Sequence, residues 1–202
     1  MSKPKLIYFD APVSRGEECR LALHVAGVDF EDVRIPMAEW PAMKARTPYG
    51  QLPVFEVPGH PPFAHSNAIL VLIGRRHGLH PRDDFEAARH EAMMQHVEDL
   101  RAAVGPTIRM GEAEKKAARE LLVANFLPGW GAAAERNITT GPYFGGATIS
   151  VVDFKIHMAV RWLSSGNVDH IPATIFAGYP KLVGIHDAVR DHPRVRDWYS
   201  RG

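Results

Sequence analysis

Every segment of this chain that reads as a strand lies within the first 80 residues, and the remainder reads as helix. No other feature limits the fold as much. A sheet has apolar faces to cover and a run of helices has apolar stripes to bury, so the two halves call for two packed units. "KLIYF" (residues 5–9) reads as a short buried strand rich in β-formers. "DAPVSRG" follows as a loop with Pro12 and Gly16 as breakers, then a helix over residues 17–26 stopped by Gly27. "DFEDVRI" alternates as a second strand, and residues 40–46 form a short irregular helix. "LPVFEV" and "PFA" read as a hairpin around Pro58-Gly59, before a helix over residues 66–77 with a Ser cap and a Gly78 stop. The order is β-α-β, then β-β-α.

Beyond "GLHPRDD" (residues 78–84), the natural linker, the pattern changes. Residues 84–104 are strongly helical, with Met93, Val97, Leu100 and Val104 on one stripe. A second helix is expected over residues 112–127, and "GPYFGGAT" is a turn-rich break. "SVVD" (residues 150–153) is a capping box flanked by Ile149 and Phe154 at the staple positions. The helix behind it, residues 151–163, is apolar on most faces and is expected to be buried. Segments 179–189 and 194–200 complete an all-helical half. The expected domains are residues 1–80 and 84–202.

A net charge of +1 over 202 residues argues against a broad nucleic-acid or acidic-membrane surface. The longest aliphatic run, residues 68–73, is far too short to span a bilayer, and "MSKPKLIYFD" has too short an apolar core for a signal peptide. One cysteine, Cys19, excludes an intrachain disulfide. A cytoplasmic protein is expected. The eleven histidines show no paired ligand spacing, so no metal is expected.

The stretch "YGQLPVFEVPGHPPFAHSNAIL" is the chemically suggestive one. Pro53 opens a strand in which it cannot donate to a ladder. Either it is a plain strand-opening proline, or a cis Leu52-Pro53 bond turns the Leu52 backbone outward to pair with an extended peptide. Ser66 either caps a helix and nothing more, or marks a helix N-terminus that seats a carboxylate.

Taken in order, "IYF", "SRGEECRLAL", "EWPAMK", "YGQLPVFEV", "HSNAIL", "HVEDLR" and "GGATISVVD" resemble the cytosolic glutathione transferases across essentially the whole chain. The tyrosine in the first strand and "VEDLR" place it nearest the tyrosine-type classes, sigma before pi. The resemblance implies an α/β thioredoxin-like N-terminal domain and an all-α C-terminal domain, with glutathione as co-substrate and a homodimer as the working form. By resemblance, Tyr8 hydrogen-bonds the glutathione sulfur, and Arg15 supports the thiolate or binds the peptide. Trp40 and Lys44 hold the glycyl end. Gln51 and Leu52 contact the tripeptide backbone, with Pro53 holding Leu52, and Ser66 takes the γ-glutamyl carboxylate. The family usually has Gln before that serine, and here it is His65. Asp99 is expected to cross the dimer interface to the ammonium of the partner's glutathione. Arg20 is expected in a structural ion pair. A hydrophobic electrophile is expected beside Phe9, Val13, Pro106, Arg109 and Met110. The second tyrosine that pi enzymes place near Arg109 is missing.

Three functions compete on this basis: transfer of glutathione to an electrophilic carbon, a glutathione-dependent isomerase or peroxidase of the prostaglandin-isomerase kind, and a non-catalytic binding protein like the lens crystallins. Tyr8, Lys44, Ser66 and Asp99 together argue against the last, because a structural role needs none of them.

Overall fold

The computed structural model describes residues 3–201. Met1, Ser2 and Gly202, the outer ends of the two expected domains, lie outside the described residues. A four-stranded sheet in the order β2-β1-β3-β4 anchors the first half. β1 (Lys5–Phe9) runs parallel to β2 (Glu31–Ile35) and antiparallel to β3 (Val54–Glu56), which pairs with β4 (Phe63–Ala64). A parallel pair needs a crossover, and α1 (Ser14–Val25) supplies it. The short α2 (Trp40–Met43) follows β2, and α3 (Ser66–His77) packs beside α1 and ends on Gly78 in the left-handed region at φ 74°.

One boundary differs from the sequence expectation for a reason that matters at the site. α1 begins at Ser14 rather than at residue 17, and Gly16, expected as a loop breaker, lies inside the helix. A Cβ on Gly16 would stand 2.0 Å from Cδ1 of Tyr8. The glycine is there so that the first turn of α1 can come down on the tyrosine ring.

The second half is helical: α4 (Asp84–Val104), α5 (Glu112–Leu121), α6 (Leu127–Asn137), α7 (Val151–Leu163), α8 (Pro180–Asp191) and α9 (Pro193–Ser200). The expected α4 stripe of Met93, Val97, Leu100 and Val104 is buried. The helix expected over residues 112–127 instead continues to Asn137 through a π turn at Leu122–Phe126. Pro128 explains both the turn and the misreading. It has no N–H to give and its ring crowds the preceding carbonyls, so the ladder loosens there instead of ending.

α7 is the pillar of the molecule, packing against α1, α3, α4 and α8 and buried along most of its length. Its capping box forms: the Asp153 carboxylate accepts the Ser150 amide at 2.7 Å, and also the Phe144 amide at 2.8 Å. The Ser150 hydroxyl donates to the same carboxylate at 2.9 Å and stands 3.3 Å from Nδ1 of His90. The linker is no loose tether. The Leu79 carbonyl accepts the Val151 amide at 2.9 Å, and His80 packs where a side chain on Gly74 would be.

The α7–α8 seam carries a stacked histidine pair, His157 and His186, with ring centroids 4.5 Å apart. Nδ1 of His157 donates to the His186 carbonyl at 3.0 Å, and Nδ1 of His186 to the His157 carbonyl at 3.2 Å. A carbonyl only accepts, so each Nδ1 carries the proton. Burial, helped by the neighbouring imidazole, pushes His157 down to about 3, and burial also lowers His186. Burial beside His80 likewise lowers His90 to about 4. Each depressed histidine binds its proton in the unfolded chain first, so the stability it contributes is present above about pH 6.5 and is lost as pH falls toward its folded value. Each group contributes up to about 1.4 kcal/mol per pH unit within that window. Urea midpoints are therefore expected to fall steeply between pH 7 and 5, and His157→Asn to flatten that dependence. A midpoint constant over the range would contradict it.

Candidate active site

A cavity of about 740 Å³ opens where the C-terminal edge of β1, the start of α3 and the middle of α4 meet. Tyr8 stands at its floor because β1 alternates: Leu6 and Tyr8 point to the buried face. The Gly16 backbone supports one side of the ring, and the Arg20 guanidinium lies 5.8 Å from its centroid. Arg20 itself is fully buried, donating to Asp32 (2.9 Å), to Glu17 (3.2 Å) and to the carbonyls of Phe9 and Ala11. Burial raises the Tyr8 pKa, against the opposing pull of the Ser14 hydroxyl and the Arg15 charge. The phenol is therefore a protonated hydrogen-bond donor at neutral pH.

Across from Tyr8 runs the segment that the sequence singled out. The Leu52-Pro53 bond is cis; Leu52 and Gln51 face the cavity, with Pro53 buried behind them at the entry to β3. Tyr49 and Gly50 both sit in the left-handed region at φ 58° and 60°, which reverses the chain into this edge. Trp40 and Lys44 line the same space from α2 and the turn after it, with Phe9 edge-on to the Trp40 ring at 6.0 Å. His65 also lines it, held at φ 72° with its ring 5.1 Å from Tyr49. Ser66, Asn67 and Ala68 open α3 at the cavity wall. A first helical turn leaves its amides without intrahelical partners, so this wall carries donors and the positive end of a dipole.

Not every expected residue is here. Arg109 reaches the cavity, but Val13, Pro106 and Met110 lie outside it. Val13, the residue before α1, is exposed, and the turn Gly105–Arg109 offers only its last residue to the cavity. Asp99 is exposed and outside it, its carboxylate accepting from Gln95 at 3.2 Å. The α4 residues that do face the cavity are Gln95 and Glu98, which the sequence reading passed over.

Glu98 leads into a buried ionic cluster. Arg15 donates to it from Nη2 at 2.6 Å and from Nε at 2.9 Å, Arg101 at 2.8 Å, and Lys155 at 2.5 Å. Burial opposes its charge, but Lys155, Arg101 and Arg15 together outweigh that and hold its carboxyl at about 2. Glu18 on α1, fully buried, pairs with Arg101 and with Lys155 at 3.2 Å. Lys155 is the single lysine of α7, and it is wholly buried. A lysine in the middle of a helix that is apolar on most faces was the available signal.

Both halves of the chain match one family: the glutathione S-transferase N-terminal domain over residues 4–75 and the glutathione S-transferase C-terminal domain over residues 98–202. The chain belongs to the glutathione S-transferase family. This transferase is 30% identical to "Probable glutathione S-transferase 7" of Caenorhabditis elegans, over 96% of this chain and 94% of the relative. It is 26% identical to the hematopoietic prostaglandin D synthase of Gallus gallus, over 100% of this chain and 97% of the relative. Among solved structures it resembles prostaglandin synthase D of Nilaparvata lugens, with a TM-score of 0.87 and 28% identity over 98% of each chain. The thioredoxin-like domain followed by an all-helical domain is thus the architecture of this transferase family. Among the described residues no helix is long and apolar enough to cross a membrane.

Proposed function

We propose that this transferase binds glutathione in the cavity and ionises its thiol with Tyr8 for attack on a hydrophobic electrophile. The observation that carries the reading is one cavity with a protonated phenol at its floor, donors at the start of α3 on one wall and Lys44 on another. Those groups suit a ligand with a thiol between two carboxylates. A free thiol near pKa 8.5 is only about 3% ionised at neutral pH. Lowering that pKa by two units takes roughly 2.7 kcal/mol, and one hydrogen bond to a charged acceptor supplies about 1.5–3 kcal/mol. Tyr8 with help from Arg15 is adequate for the task.

In this reading residues 1–80 hold glutathione. Lys44 and Trp40 take the glycyl end, Gln51, Leu52 and His65 the backbone, and Ser66 the γ-glutamyl carboxylate. Residues 84–202 complete the electrophile pocket and the dimer interface. Phe9 and Arg109 bound the electrophile side. Asp99, exposed and outside its own cavity, is the residue a partner subunit would receive in a sigma-like, cytoplasmic homodimer. The prostaglandin synthases among the relatives favour one second reading, a glutathione-dependent isomerase on the same site.

Titration with glutathione is expected to show millimolar or tighter binding, turnover of chloro-dinitrobenzene and a native mass of two chains. No binding at millimolar glutathione would sink the proposal. Turnover of an endoperoxide exceeding that of every conjugation substrate would select the isomerase.

A further inference from the structure

Lys155 lies in the helical domain, 89 residues along the chain from Ser66, yet its Nζ reaches Ser66 Oγ at 3.5 Å. The same ammonium donates to Glu98 and to Glu18. An ammonium has three protons and no lone pair, so it meets each partner as donor only. Ser66 Oγ must then accept, and its single proton is free to point elsewhere. Ser66 is buried and lines the cavity, so elsewhere is the cavity.

The charges lead the same way. Arg15, Arg101 and Lys155 face only two carboxylates within this cluster, Glu18 and Glu98. Two of the cations are almost wholly removed from solvent. Buried charge is costly unless compensated, and the cluster opens onto the cavity at Arg15, Glu98 and Ser66, of which Ser66 is the neutral donor that a ligand carboxylate can meet.

We propose that Lys155 is a positioning residue: it fixes Ser66 as a hydrogen-bond donor and gives the start of α3 its requirement for a ligand carboxylate. This rests on reading the cavity as a glutathione site. Selectivity in the thioredoxin-like domain is thereby set by a side chain of the other domain, which touches no ligand itself.

The test is a set of dissociation constants for glutathione and for its analogue lacking the γ-glutamyl carboxylate (4-aminobutanoyl-Cys-Gly). Lys155→Met, Ser66→Ala and the double variant are compared with wild type. Lys155→Met keeps the stem volume and leaves an arginine on each carboxylate. It is expected to weaken glutathione at least about tenfold, the low end for a charged hydrogen bond. The analogue should change less than about twofold, kcat at saturating glutathione should hold within about threefold, and Ser66→Ala should add little to Lys155→Met. Equal weakening of both ligands, or unchanged glutathione affinity, overturns the inference. If Lys155→Met does not fold, Glu18→Gln with Lys155→Met removes an ammonium and a carboxylate together and carries the same comparison. Wild type that binds no glutathione overturns the proposed function, and this inference with it. Wild type that binds while Lys155→Met binds equally well overturns the inference alone.

Discussion

Gly16→Ala is expected to cost this transferase about 1–3 kcal/mol of stability and at least about a hundredfold in kcat/KM, far more than a glycine-to-alanine change inside a helix should. On helix propensity alone, alanine would stabilise α1 by up to about 1 kcal/mol. The packing reverses the sign. The new methyl would lie 2.0 Å from Cδ1 and 2.1 Å from Cγ of Tyr8. Those atoms lie at the base of the ring, so no rotation about a distant bond relieves the overlap. Either the tyrosine leaves its place at the cavity floor or α1 lifts off β1. Thermal unfolding reads the first effect and conjugation kinetics the second. A variant with wild-type turnover and a raised Tm would show that Tyr8 tolerates displacement, contrary to the geometry.

The second large effect belongs to the buried cluster. Glu18→Gln keeps the shape of the side chain and removes one of the two carboxylates that hold Lys155 and Arg101 in the interior. Breaking a buried pair by neutralising one partner costs about 3–5 kcal/mol, and here Lys155, Arg101 and Arg15 would be left to share the single carboxylate of Glu98. For a chain of this length that is a Tm loss on the order of 10 °C. Adding Lys155→Met should return part of the loss, since one of the three cations then sharing Glu98 goes with it. Strict additivity of the two substitutions would contradict the coupling that their 3.2 Å contact implies.

The fold was legible where local chemistry decides it. Gly78 closes α3, the stripe from Met93 to Val104 buries α4, and Ser150 with Asp153 opens α7, each as its local pattern requires. The expected Ser cap of α3 does not form, because His65 takes the N-cap position without a side-chain bond and Ser66 is the first helical residue. Failures came where distant packing overrides a local rule. Gly16 read as a breaker because nothing nearby reveals the ring of Tyr8 above it. α6 was missed because Pro128 ordinarily ends a helix, and only a π turn carries the chain past it.

The candidate site divides in the same way. Tyr8, Trp40, Lys44, Gln51, Leu52, His65 and Ser66 do share one cavity. The placement of Val13, Pro106 and Met110 depended on which way a loop and a 3-10 turn face, which no periodicity encodes. Glu18, Glu98 and Lys155 were invisible for a further reason: they are 57 to 137 residues apart and meet only when α1, α4 and α7 pack. Read singly, a Glu on a helix is a solvated charge, so the cluster is a property of the tertiary structure.

The most direct test is the ionisation of glutathione bound to wild type and to Tyr8→Phe, followed by the ultraviolet absorption of the thiolate as pH is varied. Phenylalanine keeps the ring on Gly16 and removes only the donor. The bound thiol should titrate about two units below its free value in wild type and return toward about 8.5 in Tyr8→Phe, with kcat at neutral pH falling between about tenfold and a hundredfold. An identical thiol pKa in the two proteins, with glutathione bound equally well, would contradict the role of Tyr8 and shift it to Ser14 and Arg15.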